Sequence, residues 1–396
     1  MEKLANRLRN LTESQTFAMS ERSADLKKKG IDVVNLTIGE PDFNTPEEVK
    51  EAAKEAIDKN ITKYPPVAGF YELREAVSQK FRRENNLVFK PEQIIISSGA
   101  KHSLANVLLA LINPGDEVIL LAPFWGTYRQ LIRFLGAKPV IIETTIENGF
   151  KAGREQIKRA ITPKTKALIL NSPSNPAGCV YSADELRGIA DIVSGYKYLY
   201  IISDEIYEHI NFTGPHETIG QFDFIKDRTI IINGVSKGYA MTGWRIGYLG
   251  APAWLAKACS TIQGHTTSGA CSVSQMAAIA ALQSGLELPK LMKNIYQKRR
   301  DMIRDLLHDI TGLKVNNPDG TFYIYPDISA FLGTSSGKRT INTDLDLCMY
   351  LLEEAHVALV PGSAFGNERC IRISFATSEE RIIIGMGRIK KALADL

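Results

Sequence analysis

Gln93-Ile94-Ile95-Ile96-Ser97-Ser98-Gly99-Ala100-Lys101 is the stretch that decides the fold, because its character changes halfway along. Up to Ser97 it is apolar and β-branched, the composition of a strand buried on both faces. Past Gly99 the apolar residues fall at helical spacing, so Leu104 to Ile112 is predicted to be the helix that follows. A strand, a glycine turn and a helix make one βα unit, and the same signal recurs downstream. Glu117 to Leu121, Pro139 to Glu143, Ala167 to Leu170, Tyr198 to Ser203 and Thr229 to Asn233 read as further strands, with amphipathic stretches such as Ala183 to Val193 between them. The alternation predicts an α/β fold whose largely parallel sheet is covered by helices on both faces.

On either side the pattern changes. Residues 287 to 311 read as one long charged helix, and Gly320 to Tyr325, Ala358 to Val360 and Cys370 to Ser374 as strands of a second sheet. Glu379 to Leu396 reads as a closing helix. The residues before the alternation do not fit it and are expected to fold with the C-terminal part. The expected division is therefore a large domain over 46–288 and a smaller, discontinuous α+β domain made of 1–45 and 289–396. A chain of 396 residues has room for both.

Composition excludes several classes. With 48 basic against 44 acidic residues, clusters such as Lys27-Lys28-Lys29 and Lys298-Arg299-Arg300 lie on polar helix-like stretches with acids nearby. No basic stripe suited to nucleic acid emerges. Five scattered cysteines without a Cys-x-x-Cys pair speak against a disulfide framework or a zinc site and for a reducing compartment. Met1 to Asn10 lacks the apolar core of a secretory leader, and no apolar run is long enough to span a bilayer. The expectation is a cytoplasmic protein with no membrane, metal or nucleic-acid partner.

In an open α/β sheet, ligands bind beyond the carboxyl ends of the strands, so the residues just after each strand carry the chemistry. The small residues Ser97-Ser98-Gly99-Ala100-Lys101, at the start of a helix, would let backbone N–H groups and the helix dipole approach a phosphate. An ordinary tight turn would look the same. Asn171-Ser172-Pro173-Ser174-Asn175-Pro176-Ala177-Gly178 specifies a fixed irregular loop, which either merely connects or holds the Asn175 amide toward a ligand. Asp204, at the end of a buried strand, is either a helix cap or a desolvated carboxylate needing a cation. Lys237 follows Ile230-Ile231-Ile232-Asn233-Gly234-Val235-Ser236 among small and apolar residues, where desolvation would lower its pKa and make it nucleophilic. Together these features ask for a ligand with a phosphate, a ring cation and a lysine-reactive carbonyl. Pyridoxal phosphate has all three.

On these residues the sequence resembles the class I aminotransferases of pyridoxal-phosphate fold type I, within the bacterial aspartate aminotransferase branch. The resemblance runs from Asn35-Leu36-Thr37-Ile38-Gly39-Glu40-Pro41-Asp42-Phe43 to Arg372-Ile373-Ser374-Phe375-Ala376. It is most specific in Ser203-Asp204-Glu205-Ile206-Tyr207 and from Ser236-Lys237 through Gly247. It implies a seven-stranded, mostly parallel sheet and a homodimer with shared active sites. Lys237 would hold the cofactor as a Schiff base and shuttle a proton, while Asp204 would pair with the pyridine nitrogen. Tyr207 and Asn175 would bond the ring's phenolic oxygen, and Trp125 would stack on its face. The phosphate would rest on the backbone at Gly99, Ala100 and Lys101, on Arg245, and on Tyr64 of the partner subunit. Arg372 would grip the substrate α-carboxylate as a bidentate fork, helped by the backbone of Gly39.

One departure is Gly234, where many relatives carry a phosphate-binding serine; Ser236 is the neighbouring hydroxyl. The resemblance implies aminotransfer between an L-amino acid and a 2-oxo acid in two half-reactions with ping-pong kinetics. Lys101, Ser14 and Thr16 match the positions that receive a distal carboxylate, which favours aspartate. Thr12 stands where prephenate-using relatives often have a basic residue. An aminotransferase for aromatic amino acids, alanine or prephenate, a lyase on the same fold, and a non-catalytic cofactor-binding module are the competing readings. Retention of both Lys237 and Arg372, with no DNA-binding extension, argues against the last.

Overall fold

Seven strands build the main sheet: β1 (Ile94–Ser97), β2 (Glu117–Leu121), β3 (Lys138–Ile142), β4 (Thr165–Asn171), β5 (Tyr200–Asp204), β6 (Thr229–Gly234) and β7 (Gly247–Gly250). Their order is β1-β7-β6-β5-β4-β2-β3. β7 runs antiparallel to both its neighbours, and the other pairings are parallel. The computed structural model describes residues 5–9, 11–337 and 339–396; Met1–Leu4 and Asn10, part of the segment expected to lack a leader, lie outside them.

Strand alternation explains the burial. Ile95, Val118, Leu120, Ile169, Ile202, Ile230 and Ile232 pack on one face with Leu104, Val107 and Leu108 of the helix Ala100–Leu111. Ile94, Ile96 and Ile231 point to the other face, against Leu73, Val77 and Phe81. Ile119, Leu168, Leu170 and Ile201 do the same against Leu186, Ile189 and Val193 of the helix Ala183–Ser194. Both faces are dry, as the unbroken apolar runs require. Each fully buried large aliphatic side chain contributes about 1.5–3 kcal/mol by removal from water.

β7 escaped the reading of the sequence because Gly247-Tyr248-Leu249-Gly250 has too little β-propensity to register. Its glycines answer to packing instead. A Cβ on Gly247 would lie 2.1 Å from the Ala100 nitrogen, and one on Gly250 would lie 2.9 Å from the Phe89 ring.

The long helix Glu287–His308 and the closing helix Glu379–Leu393 form as expected. Tyr323–Ile324, Ile371–Ser374 and Val360–Pro361 make a three-stranded antiparallel sheet. The expected single strand Ala358 to Val360 is instead two pieces. Val357–Ala358 pairs in parallel with Val34–Asn35, and Val360–Pro361 turns to pair with Ile371–Ser374. Each piece follows a different partner, with buried Leu359 between them. A single apolar cluster joins Met19, Val34 and Leu36 to Tyr296, Ile303, Ile373, Ile382 and Ile389. Tyr207 and Ile210, just beyond β5, belong to the same cluster. That contact brings the smaller sheet onto the carboxyl ends of the large one.

Candidate active site

A cavity of about 520 Å³ opens where the ends of β1, β5 and β6 meet the N-terminal segment and the strand Ile371–Ser374. It is lined by Ser14, Thr16, Gly39, Ala100, Lys101, Trp125, Asn175, Asp204, Tyr207, Ser236, Lys237, Arg245 and Arg372. Of the site residues anticipated from the sequence, Gly99 and Tyr64 are outside it. Gly99 sits just behind at φ +86°, and a Cβ there would fall 2.3 Å from Arg245 Nη2. Its bare backbone is what lets the guanidinium reach the helix start. Tyr64 is 97% exposed.

Asp204 ends β5 and is 4% exposed. Tyr128 OH donates to its Oδ2 at 2.7 Å, and Ile206 N donates to Oδ1 at 3.3 Å. Burial pushes its carboxyl up to about 6, with the two donors only partly opposing the shift. Lys237 Nζ, beyond β6, donates to the Gly39 carbonyl at 2.5 Å. Burial lowers its ammonium to about 8; Glu40 opposes this, while Arg372 and Arg245 add to it. A cation and an anion thus share one cavity, each biased by its own burial toward its neutral form.

Arg372 is 3% exposed, sandwiched 4.4 Å from the Tyr323 ring and 4.9 Å from the Phe365 ring. Its Nη1 donates to Asn175 Oδ1 at 3.1 Å and its Nη2 to the Thr37 carbonyl at 2.6 Å. Nε is buried with no protein partner. Asn175 is fixed in turn by its own N–H, which donates to Asn171 Oδ1 at 2.8 Å. Tyr207 OH shares a 3.0 Å hydrogen bond with Tyr323 OH. Trp125 forms one wall, edge-on to Tyr128, with Lys101 Nζ 4.9 Å from its ring.

The helix Ala100–Leu111 begins without a side-chain cap and presents its first turn to the cavity beside Arg245, which holds a left-handed φ of +57° and donates from Nη1 to the Thr242 carbonyl at 2.8 Å. A helix start is a ready anion site, and backbone strain in a non-glycine residue gathers at functional sites. Gly234 does not line the cavity; a Cβ there would lie 2.9 Å from the Ile246 carbonyl, so β7 leaves no room for a serine, whereas Ser236 does face the cavity. The sequence reading missed Tyr128, Tyr323, Glu40 and Thr242, all of which line the cavity. Thr242 Oγ1 donates to Glu40 Oε2 at 2.8 Å, latching the segment that carries Gly39. Tyr128 was within reach of sequence reasoning, three residues past Trp125 on a helical turn. The other three depend on tertiary contacts.

Phosphate donors at a helix start, a carboxylate without a cation at a strand end, and a desolvated lysine one strand away define an enzyme that works on a phosphorylated ring cofactor carrying a carbonyl. The residues fit pyridoxal phosphate: Ala100 and Arg245 suit its phosphate, Asp204 its ring nitrogen and Lys237 its aldehyde. A family model described as aminotransferase class I and II matches residues 31–389. An aspartate aminotransferase of Rhizobium meliloti (strain 1021) is 43% identical over 392 residues, covering 98% of this chain and 95% of the relative. An aspartate/prephenate aminotransferase of Cereibacter sphaeroides is 42% identical, with 99% of each chain covered. Among solved structures, a Rhizobium meliloti aspartate aminotransferase superposes with a TM-score of 0.96 at 40% identity over the full length of both chains. The Thermus thermophilus enzyme with maleate gives 0.93 at 39% identity, covering 99% of this chain and all of the other. The chain belongs to the class I and II aminotransferases and is a pyridoxal-phosphate-dependent enzyme of that fold.

Proposed function

We propose that the chain transfers the amino group of L-aspartate to a 2-oxo acid such as 2-oxoglutarate, by two half-reactions at one site. The observation that carries this reading is that Arg372 and Lys101 line one cavity. Arg372, whose Nε has no hydrogen-bond partner among the described residues, and Lys101 both line it, together with Ser14 and Thr16. A dicarboxylate has an anion for each. Names of relatives support the same substrate, and the Thermus thermophilus structure carries maleate, a dicarboxylate.

Bound pyridoxal phosphate supplies an aldehyde that condenses with amines and a ring that accepts the electrons of the bond being broken. Lys237 holds the cofactor at rest and, once freed, its Nζ takes the proton from the substrate Cα. A pKa near 8 leaves a useful neutral fraction for that task. Asp204, held by Tyr128 at Oδ2, would keep the ring nitrogen protonated. Tyr207 and Asn175 would bond the ring's phenolic oxygen, Trp125 would cover a ring face, and the backbone N–H groups of Ala100 and Lys101, with Ser236 and Arg245, would hold the phosphate. Arg372 exchanges the Thr37 carbonyl for the substrate α-carboxylate and orients the Cα–H bond.

The proposal includes a homodimer in which the exposed Tyr64 reaches the partner subunit's phosphate site, and residence in the cytoplasm. It also keeps the division into 46–288 and 1–45 with 289–396. Among the described residues no helix is long and apolar enough to cross a membrane. Thr12 lines a separate surface concavity with Arg9 and Arg133 and accepts a hydrogen bond from Gln130; prephenate remains the alternative substrate, as it appears in the names of several relatives.

The test is spectroscopic. Adding L-aspartate without any oxo acid is expected to convert the near-visible band of the holoprotein to a pyridoxamine-like band, and 2-oxoglutarate to restore it. A band that ignores aspartate would make the substrate wrong. Release of ammonia and pyruvate from an amino acid with a β-leaving group, such as L-cysteine with loss of hydrogen sulfide, would make the enzyme a lyase.

A further inference from the structure

The segment that leaves β5 has two sides. Asp204, Ile206 and Tyr207 line the cavity, whereas Glu205, Glu208 and His209 point away from it into an interior network. At the centre of that network is Lys80, from the helix Tyr71–Asn85, with no exposed surface at all. Its Nζ donates to Glu208 and, at 2.7 Å, to Asn85 Oδ1. Asn85 Nδ2 in turn donates to the second Glu208 oxygen at 2.7 Å. His209 Nε2 lies 2.9 Å from Glu84 Oε2. On the far side of His209 a Cβ on Gly238 would fall 2.2 Å from Nδ1. The ring therefore rests directly on the backbone of the residue after Lys237. Glu205 is held separately, by Ser203 Oγ at 2.8 Å, Thr218 Oγ1 at 2.7 Å and His216 Nε2 at 3.0 Å.

We propose that Lys80 and Glu208 are positioning residues for the aminotransfer reaction: their buried ion pair holds segment 204–209 so that Asp204 and Tyr207 keep their register with Lys237. This rests on the functional reading above. A buried pair is seldom a good device for stability alone, since apolar side chains of similar volume usually stabilise as well or better. Its advantage here is direction. Hydrogen bonds at both Glu208 oxygens fix the backbone azimuth of the segment, and an apolar contact would leave it free to rotate. The carboxylates of Glu84, Glu205 and Glu208 with the two histidines form clusters that could take a metal ion, but the Lys80 ammonium already supplies the cation among them. Although burial opposes it, the Lys80 charge holds the Glu208 carboxyl far below the usual range.

The test compares the full-length double variant Lys80→Met with Glu208→Met, and separately Glu208→Gln, with the parent protein. Four quantities are read: melting temperature, kcat and KM for aspartate, the pH titration of the cofactor's near-visible band, and hydrogen exchange over 204–211 in cofactor-free protein. The double variant is expected to melt close to the parent, because no lone charge is left buried. Its kcat is expected to fall about tenfold or more through misplacement of the site, with KM changed less than about threefold. The band should titrate at a shifted pH, and the 204–211 amides should exchange faster while β4 and β6 keep their protection. Glu208→Gln, which takes away the charged partner of Lys80, should lower the melting temperature and move the kinetic, spectral and exchange readouts in the same direction but less. Parental kcat, titration and exchange in either folded variant would overturn the proposal. So would loss of the fold in both by circular dichroism, because the pair would then hold the fold and not the segment. If the parent itself leaves aspartate untouched, the functional reading fails, and the exchange arm alone decides the role of the pair.

Discussion

The two sides of the segment after β5 are buried to the same degree and treat charge in opposite ways. Behind the cavity, Glu208 faces Lys80 within hydrogen-bond reach and stays ionised far below the ordinary carboxylate range. In the cavity, Asp204 is equally hidden but meets a tyrosine hydroxyl and a backbone N–H in place of a cation, and its carboxyl rises to about 6. Lys237, with a backbone carbonyl for a partner, falls to about 8. Burial alone therefore predicts nothing about ionisation; the presence of a counter-ion decides it. The rear network is complete as it stands, and the cavity is arranged so that a ligand completes it.

Removing groups from the incomplete side should tell most. Lys237→Ala is expected to abolish the near-visible band of the reconstituted protein and to cut kcat by at least about a thousandfold. A band of parental position and strength in that variant would mean that another group holds the cofactor. Next in size is Arg372→Lys, which keeps the charge but not the fork. The expectation is a fall of about a hundredfold in kcat/KM for aspartate, measured by steady-state kinetics, whereas near-parental kinetics would show that the fork is not the carboxylate's partner.

Asp204 breaks the comparison from the stability side. Between about pH 4 and 6 the folded, cofactor-free chain keeps a proton that the unfolded chain has released, so stability falls as pH rises through that window. Above it the cost of burying a carboxylate that its two donors only partly compensate is fully present. Asp204→Asn is therefore expected to stabilise the cofactor-free protein at pH 8 by about 2–3 kcal/mol, with the advantage vanishing near pH 4. Chemical denaturation at the two pH values checks this. Destabilisation at pH 8, the sign expected for Glu208→Gln, would erase the contrast between front and back. The smallest effect is expected at Lys101. Lys101→Gln should raise KM for aspartate about tenfold while leaving KM for alanine nearly unchanged, and equal effects would remove Lys101 from side-chain recognition.

How much of this could be read from the chain depended on distance along it. The βα alternation, Asp204 and Lys237 follow from short windows, because each sits at the end of an apolar strand that announces itself. Gly39, Asn175 and Arg372 could be brought together only through the resemblance, since no local pattern joins residues so far apart. Lys80 was invisible for the opposite reason: in Gln79-Lys80-Phe81-Arg82-Arg83-Glu84 it is one more charge on a polar helix, and nothing local marks it as the one turned inward. β7 was lost because its glycines answer to steric fit against Ala100 and Phe89, a demand that leaves no trace in propensity. The split of Ala358 to Val360 hid likewise, because the sequence does not say that adjacent residues serve different sheets.

The pairing of Val34–Asn35 with Val357–Ala358 sets a timetable for synthesis. All seven strands of the main sheet have left the ribosome once residue 250 has emerged, so that half can collapse early. Val33, Val34 and Leu36 must wait, apolar and uncovered, until the last tenth of the chain arrives. A nascent chain stalled before residue 357 would therefore carry a finished sheet with a sticky leading end, the form in which a chaperone, or another such chain, would meet it.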